Sequence, residues 1–298
     1  MTIGKSVLHL LAAALVAAGA LHAQDAPLTA EQIVSRNIAA RGGAQAWQAV
    51  QSISMSGTMQ AGGNNEPVWQ HAGKHGLEPV AQQPPHPARQ VELPFSMELA
   101  RNRRMRIEIQ FNGQSAVQIY DGHNGWTFRP FLDRTDYEPY TQEESASAAQ
   151  QPDLDGPLMN YAAKGSSIQL AGMETVENRP QYRLHITMKD GHTQDLWIDA
   201  KTFLETKAEG TPRRLDGETR PVEIAYRDYR SVNGITMPYL LETHVAAGIG
   251  PGKTRADAMT ERVLIKEIKV NPHVSDGDFA PPRSTSAHSL RTAASLSR

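Results

Sequence analysis

Cysteine is missing from the 298-residue sequence. Without it the chain has no disulfide bridge, no thiol nucleophile, no cysteine-based metal site and no cysteine that could carry a lipid anchor. For an exported chain, the lack of disulfides is more typical of a bacterial periplasm than of a eukaryotic secretory route.

Long hydrophobic runs are also scarce, and the one that stands out covers residues 7–20 (VLHLLAAALVAAGA). It is short for a membrane-spanning helix, and Lys5 before it and small residues after it are typical of a signal peptide. We predict that residues 1–23 are removed by cleavage after Ala23. Cleavage after Ala20 and an uncleaved anchor are the alternatives. The mature chain is then expected to be periplasmic and not lipidated.

An excess of positive charge is missing as well, because the formal net charge is −2. This argues against nucleic acid as the main partner. The sequence also lacks the G-x-S-x-G, Walker A and G-x-G-x-x-G motifs, so no local signature indicates a hydrolase or a nucleotide site. A Ser–His–Asp triad needs no local motif and stays open. We predict no cofactor and no enzymatic activity.

Helical signals begin soon after the predicted cleavage site. Thr29 and Gln32 have the spacing of a capping box, and the apolar residues that follow form a narrow stripe. Gly42-Gly43 is expected to end this helix, and a short second helix is expected over residues 44–50, with Trp47.

Beyond residue 50 the hydrophobic period changes from 3.6 to 2. The clearest strand is 181–188, where one face carries Tyr182, Leu184, Ile186 and Met188 and the other carries Gln181, Arg183, His185 and Thr187. Similar runs recur every 8 to 12 residues, and Asn-Gly or Asp-Gly turns separate most of them. We therefore predict a mainly β (α+β) protein, with a curved antiparallel sheet of about 11–12 strands. Its short helices must bury their apolar stripes on the concave face of the sheet, above a hydrophobic cavity.

Three segments interrupt this pattern. Residues 61–90 are rich in Gly, Pro, Gln and His and are predicted to form a long mobile loop. Residues 141–165 are helical in character, with a capping box at Thr141 and a short helix that Asp155-Gly156-Pro157 opens and Gly165 closes. Residues 283–298 resemble a disordered tail. We accordingly predict one domain over residues 24–282.

Aromatic residues make up only 6% of the chain, yet several follow one tight turn at 120–131 (YDGHNGWTFRPF). Trp126 and Phe128 share one face of a strand, and Pro130 should end that strand and push Phe131 and Leu132 into a loop. Such residues, with Tyr137 and Tyr140 after them, suit either an apolar rim around a cavity or an ordinary core.

The polar residues that could bind a metal or take part in acid–base catalysis give weaker sequence signals. The histidines of the long loop (His71, His75 and His86) have partial metal-ligand spacing, but Gly and Pro oppose a helix there, so a solvated loop is favoured and no metal site is predicted. The acidic residues Asp133, Asp136, Asp153 and Asp155 could pair for acid–base work or simply serve turns and caps. The basic run at 101–106 (RNRRMR) is either a solvated turn or a polar rim at a cavity mouth.

The order of these motifs resembles the LolA-like periplasmic carriers, the outer-membrane lipoprotein-sorting superfamily, and in particular its larger, mostly uncharacterised branch. The matching stretches run from about residue 29 to 282: Arg41-Gly-Gly43, Leu99–Arg106, Asp121-Gly122 with Trp126 and Pro130-Phe131, Asp155–Leu158, Tyr161–Gly165, Trp197–Leu204, Asp228–Pro238 and Phe279–Pro282.

The resemblance implies an unclosed β-barrel with short helices as a lid over a hydrophobic cavity for acyl chains. It implies a protein that binds or carries lipoprotein acyl chains or related lipids between an inner-membrane donor and an outer-membrane acceptor, without cofactor or catalysis. Arg101 matches the family arginine that couples lid and cavity. The expected cavity or entrance residues are Trp126, Phe128, Phe131, Leu132, Tyr140, Leu158, Met159 and Tyr161. The alternative is an envelope sensor or scaffold on the same fold that recognises a protein or lipid signal.

Overall fold

A computed structural model describes residues 27–282, except 62–90, 133, 135, 152, 216–217 and 247–258. Its centre is one 13-stranded sheet with the order β6-β5-β4-β3-β2-β1-β13-β12-β11-β10-β9-β8-β7, in which every neighbouring pair is antiparallel. Among the described residues the two end strands, β6 and β7, do not pair with each other, so the barrel stays open. The mainly β architecture with an unclosed barrel and short helices is thus confirmed.

The strands follow the predicted alternation closely. They are β1 (Ser52–Ala61), β2 (Val91–Ala100), β3 (Arg104–Phe111), β4 (Gln114–Tyr120), β5 (Gly125–Phe128), β6 (Glu138–Pro139), β7 (Ser167–Val176), β8 (Arg179–Thr187), β9 (Thr193–Asp199), β10 (Glu205–Leu215), β11 (Glu218–Val232), β12 (Ile235–Val245) and β13 (Met259–Val270). The strand that the sequence did not predict is β6, which is two residues long and ends in a proline.

Three α-helices of the described residues lie outside the sheet: α1 (Ala30–Ala40), α2 (Ala44–Gln48) and α3 (Gln142–Ala149). Both predicted capping boxes are present, with Thr29 and Gln32 at the start of α1 and Thr141 and Glu144 at the start of α3. No helix of the described residues is long and apolar enough to cross a membrane.

Residues 153–165, which we call the covering segment, were expected to contain a helix, and this prediction is wrong. The segment is a succession of turns. Gly156 has a φ of +79° and Asn160 a φ of +51°, and neither value is compatible with a continuous right-handed helix. Of the loop predicted at 61–90, only Ala61 is described, as the last residue of β1. The signal peptide predicted at 1–23 and the tail predicted at 283–298 lie outside the described residues.

One face of the sheet, the inner face, is covered by α1, α2 and the covering segment, which together we call the cover. The first core cluster joins α1 to strands β7–β10 and contains Ile33, Val34, Leu158, Ile168, Leu184, Ile186, Leu196, Ile198 and Ala208. The second joins α2 to β1, β2, β12 and β13 and contains Trp47, Val50, Ile53, Phe95, Met159, Ile235, Tyr239, Ile265 and Ile268. Consecutive residues of the covering segment, Leu158 and Met159, therefore link the two clusters.

A third core cluster (Ala100, Val117, Ile119 and Phe279) lies on the opposite, outer face. Strand register decides this, because directly paired residues share a face. Phe128 pairs with Val117 and Trp126 with Ile119, whereas Phe95 of the second cluster lies one position out of phase, in line with Ile109 and Ala116.

The alternation predicted for β8 holds with one exception. Leu184 and Ile186 are buried in the first cluster, with Tyr182 and Met188 against it. Gln181, expected on the exposed face, is fully buried, and its side-chain oxygen accepts a hydrogen bond from the Thr206 hydroxyl.

Candidate functional site

The cover is attached to the sheet by a polar group of contacts centred on Arg101, which follows β2. Its guanidinium donates Nε to the carbonyl of Val50 at 2.8 Å and Nη2 to the carbonyl of Trp47 at 2.6 Å. Its Nη1 donates to Oδ2 of Asp155 at 2.7 Å. One side chain from the sheet thus holds the end of α2 and the covering segment together.

Asp155 is the acidic centre of this group and is buried. Its other carboxylate oxygen accepts from Lys164 Nζ at 2.5 Å, and Lys164 also donates to the Gly156 carbonyl at 2.9 Å. Burial raises the pKa of the Asp155 carboxyl, but hydrogen bonds and positive charge from Lys164 and Arg101 outweigh it, so the pKa lies below its ordinary value. A carboxylate held ionised in this way suits an ion pair and does not suit a general acid.

Arg41 ties α1, α2 and the covering segment to the sheet from the other side. Its Nη1 donates to the backbone carbonyl of Asp155 at 2.9 Å and lies 3.5 Å from Oε1 of Glu205. Its guanidinium stacks over the ring of Trp47 at 4.3 Å, and Trp47 Nε1 donates to the Arg41 carbonyl at 2.9 Å. The turn between the two helices is therefore fixed by side chain and backbone together.

Polar groups also lie beneath the cover, on the inner face itself. Glu205 is buried and accepts from the Tyr229 hydroxyl at 3.3 Å. Burial and the Glu205 charge raise the pKa of Tyr229, and the same causes raise the pKa of Tyr226 to about 12. Asn37 of α1 donates to the carbonyl of Phe203 at 2.8 Å, while its buried Oδ1 has no hydrogen-bond partner among the described residues. The surface under the cover is thus mixed in polarity.

The residues predicted from sequence for the cavity or entrance fall into separate groups. Leu158 and Met159 are fully buried between the two inner clusters, and Tyr161 packs against the first. Tyr140 lies over the inner face at Gly125, where an added Cβ would come within 1.9 Å of the tyrosine ring. Burial raises the pKa of this tyrosine to about 12.

The aromatic residues after the tight turn do not share one location. Trp126 and Phe128 pack against the third cluster on the outer face, and Phe128 stacks on Tyr137 at 5.1 Å. Phe131 and Leu132 lie in the 3-10 helix Pro130–Leu132 and are 42% and 53% exposed. Phe131 makes an edge contact with Phe111 at 5.9 Å. Pro130 thus ends the strand as predicted, and an exposed apolar tip follows it.

Two clefts open beside Arg101. A cleft of about 1060 Å³ runs between the turn after β2, the end of α3 and the covering segment, and charged side chains of both signs line it. A smaller cleft of about 520 Å³ lies between the start of β1 and the end of β13, with Arg101 and Arg104 on its wall.

Other predicted chemical groups do not form a reactive centre in the part of the chain that the structure describes. His71, His75, His86 and Asp133 lie outside it. Asp136 is exposed, and Asp153 lies 3.9 Å from Arg101. No group of three or more acidic or histidine side chains among the described residues has the arrangement of a metal site.

No protein-family model matches the sequence, and no curated protein matches it. Solved structures do share its architecture. A DUF1329 family protein from Desulfovibrio piger is similar with a TM-score of 0.50 and 14% identity, over 84% of this chain and 96% of that one. A LolA superfamily protein from Nitrosomonas europaea is similar with a TM-score of 0.49 and 14% identity, over 85% and 98% of the two chains. The chain shares the fold of this DUF1329 family protein. At these identities the likeness shows the fold alone.

Within this fold, sequence reasoning pointed to Arg101 but missed its partners. Asp155 was considered for turn, cap or acid–base roles, Arg41 only as part of the matching stretch Arg41-Gly-Gly43, and Glu205 not at all. The sequence signal for Asp155 is an acidic residue before Gly-Pro, with a lysine nine positions later in the chain. This pattern is too common to identify Asp155 as the partner of Arg101 before the fold is known.

Proposed function

We propose that the protein binds and carries the acyl chains of lipoproteins or related lipids in the bacterial envelope, and that the inner face of the half-barrel receives them when the cover moves away. The observation that carries this proposal is the attachment of the cover. It is held by the two inner core clusters on an open sheet and by polar contacts around Arg101 and Arg41, so the same apolar surface can be covered by protein or by ligand.

The energies suit such an exchange. Burying an acyl chain contributes about 0.8 kcal/mol per CH₂, so a chain of about 16 carbons gains on the order of 10 kcal/mol before ordering costs. Displacing the cover exposes side chains such as Leu158 and Met159, each of which loses about 1.5–3 kcal/mol of burial. Ligand binding and cover closure are therefore comparable terms, which allows a bound lipid to be released again.

In this proposal Leu158, Met159, Tyr161 and Tyr140 contact the lipid, because they lie on the cover or on the inner face beneath it. Phe131 and Leu132 form an exposed apolar tip suited to first contact with the lipid or with a membrane-bound donor. The ion pair of Arg101 with Asp155 couples the sheet to the cover. No step of the proposal requires catalysis.

A second candidate is a sensor or scaffold that binds a protein segment. The observation that favours it is β7, a ten-residue strand at the open end of the sheet that pairs only with β8 among the described strands. Such an edge presents free backbone donors and acceptors to an added strand.

The decisive experiment is native mass spectrometry of the full chain purified from periplasm without detergent, with extraction of the bound lipid. Close to one acyl lipid per chain supports the carrier. A chain that stays empty after incubation with vesicles and with a lipoprotein contradicts it and favours the sensor.

Opening of the cover can be followed directly because the chain has no cysteine. An Ala162→Cys variant, at an exposed position of the covering segment, takes an environment-sensitive dye at one site. The dye signal should change on lipid addition in a carrier. The same dye at Thr193→Cys, exposed at the start of β9, is the matched control and should not respond.

A further inference from the structure

The smaller cleft beside Arg101 has the composition of an anion site. Its described wall carries two arginines and a histidine (Arg101, Arg104 and His273) and no carboxylate, together with the polar residues Gln51, Ser52 and Asn271. Its volume of about 520 Å³ is ample for a phosphate ester. Arginine is well suited to phosphate because its planar fork can donate two parallel hydrogen bonds.

The wall of this cleft is held in place by contacts that leave its cations available. The side chain of Asn271 accepts a hydrogen bond at Oδ1 from the backbone N–H of Gln51 at 2.7 Å and donates from Nδ2 to the Ala49 carbonyl at 3.0 Å. These bonds join the end of β13 to the start of β1. The guanidinium of Arg104 stacks on the ring of Phe279 at 5.0 Å. Its ion-pair partner is Asp276, whose side chain is 99% exposed, so that pair contributes little and exchanges readily.

Arg101 differs from Arg104 in having a buried carboxylate as its partner. One nitrogen of its guanidinium already donates a hydrogen bond to Asp155 of the cover. Its Nε and Nη2 are used by backbone carbonyls, and its Nη1 is used by Asp155. Asp155 also binds Lys164, which belongs to the same covering segment. The segment can therefore withdraw with its Asp155–Lys164 pair intact, and Arg101 is then left without its close carboxylate.

We infer that this cleft binds the phosphate-bearing head group of an anionic amphiphile, and that this group replaces Asp155 as the partner of Arg101 and so releases the covering segment. The inference rests on the proposed function, in which the inner face binds the acyl tail of the ligand. It adds the chemical class of the head group. It also gives the cover a cause of opening that a neutral amphiphile lacks.

The test compares ligands with one tail and different heads: dodecyl phosphate and dodecyl maltoside, below their critical micelle concentrations, with inorganic phosphate as the head alone. Titration calorimetry on the full chain should give at least about tenfold tighter binding for dodecyl phosphate, since a charge-assisted hydrogen bond contributes about 1.5–3 kcal/mol. Hydrogen exchange of residues 154–165 should rise with dodecyl phosphate more than with the maltoside.

Variants assign the preference to the cleft. Arg101→Gln should remove it, and Arg104→Gln should reduce it while keeping every contact between Arg101 and the cover. Arg262→Gln is the matched control, because it removes one positive charge from a half-exposed arginine of β13 that pairs with Glu242 and does not line the cleft. It should leave the preference unchanged.

Each outcome of these experiments supports or overturns a stated part of the proposal. Equal affinities for the two amphiphiles overturn the head-group site and leave the carrier standing. If neither amphiphile binds, but inorganic phosphate shifts the Nε–Hε NMR signals of Arg101 and Arg104, the carrier fails and the cleft is a site for free phosphate. No response to any of the three ligands overturns the site. A head-group preference without faster exchange at 154–165 overturns the displacement of Asp155.

Discussion

The Nη1 atom of Arg101 lies 2.7 Å from Oδ2 of Asp155, and this contact joins the sheet to the segment that covers its inner face. The two side chains are 22% and 7% exposed. Partial burial strengthens their attraction, and the carbonyls of Val50 and Trp47 accept from Nε and Nη2 of the same guanidinium. The attachment of the cover therefore depends on a few atoms, which makes it testable by single substitutions.

Asp155→Asn should loosen the cover without unfolding the sheet. The amide keeps the shape but loses the charge that faces Arg101 and Lys164, and we expect a cost of about 2–3 kcal/mol in the free energy of unfolding. Hydrogen exchange should become faster at residues 154–165 and stay unchanged in β11 and β12.

Asp136→Asn is the control for this change, because Asp136 is exposed and its substitution should cost less than about 0.5 kcal/mol. Equal exchange rates at 154–165 in Asp155→Asn and the native chain would show that the ion pair does not hold the cover.

The same carboxylate predicts a dependence of stability on pH. The folded-state pKa of Asp155 lies below its ordinary value, so its contribution is present above the unfolded pKa of about 3.9 and is lost as the pH falls through the folded value. Urea unfolding between about pH 6 and pH 2 should show the native chain losing stability below about pH 4. Asp155→Asn should lose less over that interval, and parallel curves would contradict the assignment.

Substitutions at Phe128 and Phe131 test which aromatic residues have a structural role and which contact the ligand. Phe128 is partly buried in the third cluster on the outer face, so Phe128→Ala should cost about 2 kcal/mol or more of stability. It should leave the amount of bound lipid per folded chain unchanged.

Phe131 is 42% exposed, so Phe131→Ala should cost less than about 1 kcal/mol and should slow lipid uptake. Thermal unfolding and vesicle-to-protein transfer rates measure the two effects. Loss of lipid occupancy in Phe128→Ala at full stability would restore the entrance role that the sequence suggested for this residue.

Local features of this fold could be predicted from sequence because they depend on neighbours along the chain. The capping boxes at Thr29 and Thr141 and the alternation in β8 are examples. The face on which Trp126 and Phe128 lie could not be predicted, because it depends on which strands pair and in what register. The partner of Arg101 was missed for a related reason. Asp155 is 54 residues away in the chain, and the two meet only once the covering segment folds back over the sheet.

The turn between α1 and α2 gives a last prediction, which concerns how closely the cover approaches the sheet. Gly42 has a φ of +107°, and a Cβ added there would lie 2.1 Å from the carbonyl oxygen of Gly234. Gly43 has a φ of +90° and no atom within 4 Å of such a Cβ. The two glycines thus share the conformational strain of an alanine substitution but differ in contact. Gly43→Ala should cost about 1–3 kcal/mol through strain alone.

Gly42→Ala should cost at least about 2 kcal/mol more, because the turn must move away from the β11–β12 hairpin. That movement should also weaken the contacts of Arg41 with Asp155 and Glu205 and raise hydrogen exchange in α2. Chemical denaturation measures the first effect and exchange the second. Equal costs for the two variants would show that the hairpin yields to the added methyl group and that close approach at Gly42 does not hold the cover.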